Sequence, residues 1–318
     1  MKIVFLDAGT VDSGDVSFGE IRRLGSFKAY HHTSLRQMVS RMRGAQIVIT
    51  NKCRFDAAML ARLPDLRCLA IAATGTNNVD LAAAAKKKIA VTNVSGYSTE
   101  TVVQFTFAFL LGLAGDLRKL DQAARNGTWS RSPFFVLTPC RITEIRNKTL
   151  GIVGYGAIGQ RVAAIARAFG MKVLIGRVPG RTYPMREKIR RVNFDYLVRQ
   201  SDFISIHAPL TPLTHGLFDG KVLRKMKRGS FLVNMARGGI VEEKALRKVL
   251  ASGHLAGAAT DVLTTEPPPP NHVLLKAPNL LLTPHVAWAS REARSRLIHE
   301  IALNIEAFQK GRWRHRVA

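Results

Sequence analysis

Cysteines, acidic residues and long apolar runs are all scarce in this chain of 318 residues. Its three cysteines, Cys53, Cys68 and Cys140, are odd in number and show no CxxC spacing, so we expect reduced thiols in a cytoplasmic protein. The N-terminal sequence lacks a long apolar segment and a small-residue cleavage site, which predicts no signal peptide. The longest nearly apolar stretch, residues 102–115, is too short and too polar for a membrane span and fits a buried helix.

The shortage of acidic residues gives the chain a strong positive charge. It has 48 lysines and arginines against 22 aspartates and glutamates, so the formal net charge is +26. Such a field attracts anions, nucleic acid among them. The basic residues are nevertheless scattered over short clusters, and no recognition helix, zinc finger or RNA-binding sheet motif accompanies them. We therefore predict a solvated basic surface, with no specific nucleic-acid partner and no membrane partner.

Short apolar runs alternate with helical patterns along both halves of the sequence. With 47% hydrophobic residues, the chain can form two medium-sized domains with buried cores. A strand–helix–strand rhythm implies parallel pairing, so we predict a parallel sheet in each half. The predicted strands are residues 2–6, 46–50, 68–73, 89–92, 149–153, 172–175, 203–207, 230–234, 256–260 and 279–282. The predicted helices are residues 34–42, 57–63, 79–86, 98–124, 158–169, 194–200, 221–226, 244–251 and a last helix that begins at Ser290.

One glycine-rich stretch stands between a predicted strand and a predicted helix. Residues 154–159 read Gly-Tyr-Gly-Ala-Ile-Gly, a G-x-G-x-x-G pattern. In this setting Gly154 permits a tight turn, Gly156 lets a pyrophosphate approach the backbone, and Gly159 lets helix and strand pack closely. The helix N-terminus then offers unpaired N–H groups and a partial positive charge to the phosphates. The stretch therefore predicts a dinucleotide site.

The acidic residue that usually completes an NAD site is missing. Such an acid lies about 20 residues after the glycines and binds the ribose 2′-hydroxyl. Here the second strand of this half is followed by Arg177 and Arg181, and no aspartate or glutamate occurs between Gly159 and Glu187. Because an arginine pairs with a 2′-phosphate by charge-assisted hydrogen bonds, we predict NADPH in preference to NADH. The alternative is that Arg177 is only a solvated surface residue and the site takes either cofactor.

Polar side chains follow several predicted strands of the second half. Arg237, Glu266 and His285 each come shortly after a different strand. Open α/β sheets bind their ligands at the carboxyl ends of strands, so these side chains are expected to converge. Together they could form an anion clamp, an orienting carboxylate and a proton donor. Each has an ordinary structural role when taken alone, but the set predicts a catalytic group.

With these motifs, the sequence resembles the D-isomer-specific 2-hydroxyacid dehydrogenases. Trp288 and the segment 129–133 are most similar to the glyoxylate/hydroxypyruvate reductases of that family. The resemblance covers nearly the whole chain in order. It rests on residues 74–80, 91–100, 154–159, 234–239, 257–262 with 266–267, and 282–285.

The resemblance implies an α/β fold of two doubly wound parallel-sheet domains. Residues 1–97, completed by 289–318, would form a flavodoxin-like substrate domain. Residues 98–288 would form a Rossmann dinucleotide-binding domain, with the active site in the cleft. The resemblance also implies a homodimer, with the loop around Trp129 near the partner, and gives no reason to expect a metal site.

The resemblance also implies roles for single residues. His285 would be the general acid, Glu266 would orient it and favour its protonated form, and Arg237 would hold the substrate carboxylate and polarise the carbonyl. Backbone N–H groups of Thr74 and Gly75 would bind the same carboxylate. Trp288 would either wall the substrate pocket or only pack at the hinge. The implied cofactor-binding residues are Thr106, Gly154, Gly156, Ala157, Ile158, Gly159, Arg177, Arg181, His207, Ala208, Pro209, Thr214, Met235, Ala236 and Asp261.

The sequence thus predicts NADPH-preferring reduction of a small 2-keto acid, glyoxylate or hydroxypyruvate, to the D-2-hydroxy acid, with NAD as a possible cofactor. Formate dehydrogenases share the implied scaffold but carry glutamine where this chain has Glu266, which argues against them. A 3-phosphoglycerate dehydrogenase would suit the basic charge, but no regulatory extension is expected. An NAD(H)-sensing scaffold like the co-repressor C-terminal-binding proteins stays open, because such proteins can keep the same catalytic set.

Overall fold

The computed structural model describes residues 1–137, 142–184 and 189–318, so Cys140 lies outside the described residues. The described chain divides into two compact units. We call Met1–Ser98 with Trp288–Ala318 the terminal unit, and Thr99–Ala287 the central unit. These boundaries differ by one residue from the domain limits predicted from the sequence. The functional roles of the two domains stay predictions.

The terminal unit begins with alternating strands and helices. Aspartate side chains start two of its helices: Asp56 accepts the N–H of Met59 and Asp80 accepts that of Ala83, each satisfying a backbone donor that the helix leaves unpaired. In chain order the elements are β1 (Lys2–Phe5), α1 (Gly19–Arg22), β2 (Ser26–Ala29), α2 (Leu35–Met42), β3 (Ile47–Thr50), α3 (Ala57–Ala61), β4 (Cys68–Ile71), α4 (Leu81–Lys86) and β5 (Ala90–Thr92).

The central unit repeats this alternation on a larger scale. In chain order it contains α5 (Thr99–Ala114), α6 (Leu117–Arg125), β6 (Thr149–Val153), α7 (Ala157–Ala168), β7 (Lys172–Gly176), α8 (Phe194–Gln200), β8 (Phe203–Ile206), α9 (Gly220–Lys225), β9 (Phe231–Asn234), α10 (Glu243–Ala251), β10 (Gly257–Thr260) and β11 (Leu280–Leu282). The chain then returns to the terminal unit through α11 (Arg291–Gln309).

Each unit is built on a parallel sheet, which confirms the predicted fold class. The terminal unit has the strand order β2-β1-β3-β4-β5, and the described residues of the central unit have the order β11-β10-β9-β8-β6-β7. All the paired strands run parallel. In the central sheet the chain passes from β6 to its neighbour β7 and then crosses to β8 on the other side of β6. The carboxyl ends of β6 and β8 therefore flank a topological switch point, the usual place for a ligand in an open α/β sheet.

Helix α11 confirms the prediction for the last helix. Ser290 caps it, because the side-chain oxygen accepts the N–H of Ala293 at 3.1 Å. Leu297, Ile301 and Ile305 recur at helical spacing and are fully buried in the core of the terminal unit. The helix is therefore held mainly by burial of this apolar face.

Three elements differ from the sequence-based expectation, and one of them is the short helix α1, which was not predicted. The helix predicted at 98–124 is divided into α5 and α6, because Asp116 adopts φ 47°, in the left-handed region, and the two axes bend by 61°. Strand β2 was not predicted, since it is short, lacks a continuous apolar run and is mostly exposed at the edge of the sheet. Among the described residues no single helix could cross a membrane, and only the bent pair of α5 and α6 meets a test of length and composition.

Candidate active site

The predicted dinucleotide turn lies between β6 and α7 in the central unit. Gly154 adopts φ +97°, and a Cβ at this position would lie 2.5 Å from the backbone nitrogen of Ala208, so only glycine fits beside the end of β8. Gly156 is the N-cap of α7, and no described atom lies within 4 Å of the position that its Cβ would take. This open space faces the start of α7, at Ala157 and Ile158. The geometry fits the pyrophosphate of a dinucleotide.

His207 follows β8 at the other side of the switch point. Its Nε2 shares a hydrogen bond of 2.9 Å with the hydroxyl of Ser205. Its Nδ1 is buried and has no hydrogen-bond partner among the described residues. Burial lowers the pKa of His207 to about 3, so the ring is neutral at physiological pH. A neutral ring with an unsatisfied nitrogen fits the predicted contact with the cofactor.

Acidification should destabilise the folded chain through His207. The pKa of His207 is about 3 in the folded chain and an ordinary 6.5 in the unfolded chain. The unfolded chain therefore takes up a proton first, and the free energy of unfolding, which is highest above pH 6.5, decreases as the pH falls towards 3. Between about pH 7.5 and about pH 5 we expect the wild type to lose about 2 kcal/mol more unfolding free energy than His207→Asn. Urea unfolding of both proteins at each pH checks this. A stability difference that does not change with pH would contradict it.

Arginines surround the end of β7, where an acid was missing from the sequence. Arg177 is exposed directly after β7, and its N–H donates to the carbonyl of Val192 at 2.9 Å. The guanidinium carbons of Arg181 and Arg191 lie 5.4 and 4.3 Å from the ring centre of Tyr183. Arg177 and Arg181 also line one cavity of about 440 Å³. This end of the strand is therefore strongly cationic.

Arg191 was not among the predicted site residues. It lies 5.9 Å from the ring centre of Tyr155, the second residue of the glycine turn. It reaches this position because the adjacent Val192 pairs with Gly176 at the end of β7. Nothing local in the sequence indicates that pairing, since Gly176 and Val192 are well separated along the chain.

Two other predicted cofactor residues, Thr214 and Thr106, are buried in the central unit. The Thr214 hydroxyl donates to the carbonyl of Pro209 at 2.6 Å, which closes the loop after His207. Thr106 is fully buried in α5, and its hydroxyl donates to the carbonyl of Val102 at 2.7 Å. These side chains have structural bonds of their own, so the cofactor contacts of Thr106 and Thr214 stay predictions.

Glu266 and His285 form the closest polar pair of the predicted catalytic set. The Oε2 of Glu266 lies 2.5 Å from the Nδ1 of His285. Both side chains are about one-third exposed or less, at 33% and 27%. The Oε1 of Glu266 accepts the N–H of Leu263 at 2.8 Å, which fixes the carboxylate. His285 can therefore present its Nε2 in one defined orientation.

Asp261 holds the loop that carries His285. Its buried carboxylate accepts the hydroxyl of Thr283 at 2.6 Å and the N–H groups of Val286 and Ala287 at 2.9 Å each. Burial raises the pKa of Asp261, although these bonds oppose the shift. His285 itself adopts φ 56°, a strained conformation for a non-glycine residue, which the anchored loop maintains. The observed role of Asp261 is thus to orient this loop, and its predicted contact with the cofactor stays a prediction.

Arg237 lies on a turn that follows β9. Asn234, the last residue of β9, donates to the carbonyl of Arg237 at 2.9 Å and accepts the N–H of Ala236 at 3.1 Å. These two bonds fix the turn, in which Met235 and Ala236 are buried. The Arg237 side chain is exposed, and its guanidinium donates to the carbonyl of Ala236 at 2.7 Å. It is available at the same sheet edge as Glu266 and His285.

The predicted substrate residues of the terminal unit follow β4 and precede α11. The Thr74 hydroxyl donates to the carbonyl of Val94, and the side chain of Asn93 donates to the carbonyl of Thr74, each at 2.8 Å. These bonds fix the loop that includes Gly75. Trp288 packs edge-to-face on Tyr97, with ring centres 6.1 Å apart. Packing of Trp288 is observed, whereas substrate contacts of these residues stay predictions.

A family model identifies the central unit. The model of the D-isomer specific 2-hydroxyacid dehydrogenase NAD binding domain matches residues 107–287. The chain belongs to the D-isomer specific 2-hydroxyacid dehydrogenase family. The dehydrogenase is 39% identical to a glycerate dehydrogenase of Methylorubrum extorquens, over 98% of this chain and 97% of that protein. It is 38% identical to a hydroxypyruvate reductase of Blautia hydrogenotrophica, over 98% of each chain.

A solved structure agrees with this assignment. The crystal structure of a protein from Thermus thermophilus superimposes with a TM-score of 0.88 at 34% identity, over the whole of both chains. The dehydrogenase is therefore an oxidoreductase that acts on 2-hydroxy or 2-keto acids with a nicotinamide cofactor. The glycine turn and the buried His207 of the central unit fit such a cofactor, which supplies or accepts a hydride when bound.

Proposed function

We propose that this dehydrogenase reduces a small 2-keto acid, glyoxylate or hydroxypyruvate, to the D-2-hydroxy acid, with NADPH as its preferred cofactor. The observation that carries the proposal is the 2.5 Å pair of Glu266 and His285. It lies at the same edge of the central sheet as the glycine turn, since both follow carboxyl ends of parallel strands. Reduction of a carbonyl needs a proton donor placed there.

His285 acts as the general acid in this proposal. Its Nδ1 is engaged by the Glu266 carboxylate, so the proton passes from Nε2 to the carbonyl oxygen of the substrate. The negative charge of Glu266 stabilises the imidazolium that gives up this proton. The anchored loop 283–287 holds the ring in place, so little reorganisation is needed when the proton moves.

Arg237 binds and polarises the substrate. A guanidinium pairs with a carboxylate through parallel charge-assisted hydrogen bonds, which also fixes the orientation of the keto acid. Negative charge develops on the carbonyl oxygen during reduction, and a nearby cation stabilises it. The turn braced by Asn234 keeps Arg237 at the sheet edge for both tasks.

The preference for NADPH is supported by the arginines at the end of β7. Arg177 and Arg181, predicted from the sequence, are joined there by Arg191. Their positive charge favours a 2′-phosphate over a 2′-hydroxyl.

A homodimer is supported by the loop after α6. Trp129, Phe134 and Phe135 are 51%, 70% and 93% exposed. Exposed aromatic clusters of this kind are typical of surfaces that pair with another chain. A cytoplasmic location stays a prediction.

Steady-state kinetics with three keto acids and two cofactors test the proposal. Glyoxylate, hydroxypyruvate and 3-phosphohydroxypyruvate are each assayed with NADPH and with NADH. We expect glyoxylate or hydroxypyruvate to give the highest kcat/KM, and NADPH to be used at least about tenfold better than NADH, the effect of one charge-assisted contact. A preference for 3-phosphohydroxypyruvate would instead indicate a 3-phosphoglycerate dehydrogenase. Tight dinucleotide binding without turnover of any keto acid would indicate a sensing scaffold.

A further inference from the structure

The loop that ends in Glu266 is held by a second carboxylate outside the predicted catalytic set. The N–H of Leu263 donates to Glu266 at 2.8 Å, and the next N–H along the chain, that of Thr264, donates to Oε1 of Glu243 at 2.7 Å. Successive peptide groups are thus bound by two different glutamates. Glu243 is the first residue of α10, so this helix fixes the loop.

Glu243 is itself fixed by a histidine. Its Oε2 lies 3.1 Å from Nε2 of His272, and the two side chains are only 15% and 9% exposed. The N–H of Leu274 faces Nδ1 of His272 at 3.3 Å, so Nδ1 accepts and the ring proton lies on Nε2, from which it donates to Glu243. Both oxygens of this largely buried carboxylate are therefore satisfied, and its orientation is determined.

The position of His272 follows from the proline run at 267–270. The N–H of His272 donates to the carbonyl of Pro269 at 2.9 Å, which closes a turn at the end of that run. Proline fixes φ, so this segment has few alternative conformations. The path by which the chain comes back towards α10 is therefore well defined. The proline run thus places the histidine against Glu243.

The peptide bound by Glu243 also contacts the Arg237 turn. A Cβ at Gly238 would lie 2.0 Å from the carbonyl carbon of Leu263 and 2.2 Å from the nitrogen of Thr264. The residue directly after Arg237 therefore packs its backbone on the Leu263–Thr264 peptide. A shift of this peptide would move the supports of Arg237 and Glu266 together.

We infer that Glu243 and His272 are positioning residues for the reaction, acting through the Leu263–Thr264 peptide on Glu266 and Arg237. The inference rests on the proposed function, which makes those two side chains catalytic. Reacting groups misplaced by about 1 Å lose up to about 100-fold in rate, so a positioning pair of this kind has a measurable effect on turnover.

The test compares Glu243→Ala, Glu243→Gln and Glu266→Gln, singly and as the double variant Glu243→Ala with Glu266→Gln. For each full-length protein, kcat and KM are measured with NADPH and the better of glyoxylate and hydroxypyruvate. We expect Glu243→Ala to lower kcat roughly tenfold. Glu243→Gln should retain part of the activity, because its amide oxygen can still accept from Thr264 while the bond to His272 is lost. In the Glu266→Gln background, Glu243→Ala should lower kcat clearly less than about tenfold, since only the part of its effect that passes through Arg237 remains.

Glu242 supplies the matched control. It is the preceding residue, and its carboxylate accepts the N–H of Gly220, the first residue of α9, at 3.2 Å, a bond of the same kind to a different segment. Glu242→Ala should leave kcat within about twofold of wild type. NADPH affinity, measured by fluorescence titration, should be unchanged in all these variants, which separates positioning from general loss of structure.

The outcomes distinguish the positioning role from the proposed function. An unchanged kcat in Glu243→Ala, a full effect in the Glu266→Gln background, or an equal loss in Glu242→Ala overturns the positioning role alone. An unchanged kcat in Glu266→Gln overturns the catalytic role of Glu266 and the positioning role with it, whereas failure of the wild type to reduce either keto acid overturns the proposed function. If Glu243→Ala does not fold, Glu243→Gln alone and combined with Glu266→Gln gives the same comparison.

Discussion

Replacement of His285 by alanine should abolish keto-acid reduction while NADPH still binds. His285 is the proposed proton donor, and loss of a general acid lowers turnover by about 100- to 10,000-fold. The glycine turn and His207 do not depend on the imidazole of His285, so the dinucleotide affinity should change by less than about twofold, as for a remote substitution. Steady-state kinetics and fluorescence titration with NADPH measure the two effects separately.

A second histidine–glutamate pair serves as the control. His299 and Glu20 lie 2.7 Å apart, and both side chains are about half exposed. His299→Ala removes the same kind of pair and should leave turnover within about twofold of wild type. Normal turnover in His285→Ala, or loss of NADPH binding with the loss of turnover, would contradict the proposed role.

Replacement of Arg177 by aspartate should reverse the cofactor preference. The substitution removes a cation from the end of β7 and restores the acid that binds a ribose 2′-hydroxyl in NAD sites. A charge-assisted hydrogen bond contributes about 1.5–3 kcal/mol, and the new carboxylate would repel a 2′-phosphate. The ratio of kcat/KM with NADPH to that with NADH should therefore fall by on the order of 100-fold.

Lys172→Asp is the matched control for this change. Lys172 is exposed at the amino end of the same strand, so the charge change is equal but occurs away from the switch point. The cofactor ratio should stay within about twofold in this variant. An unchanged ratio in Arg177→Asp, or an equal fall in Lys172→Asp, would refute a local role for Arg177.

Several features of the fold and site were predictable because their signals are local. The glycine pattern at 154–159 specifies a turn through residues adjacent in sequence, and the structure has that turn between β6 and α7. Parallel strands bring their carboxyl ends to one edge, so residues after different strands could be expected to meet, as Glu266 and His285 do. The short, mostly exposed edge strand β2 carried no such signal and was missed.

The sequence by itself determined the parallel α/β architecture, the dinucleotide turn and the set of proposed catalytic residues, because periodicity and short motifs act over a few residues. Only the tertiary structure decided that Arg191 reaches the glycine turn, that Asp261 orients the loop of His285, and that Glu243 with His272 holds the loop of Glu266. These contacts join residues about 20 or more positions apart or depend on a pairing between strands. They form only when burial of the apolar core has fixed the backbone, so no local pattern specifies them.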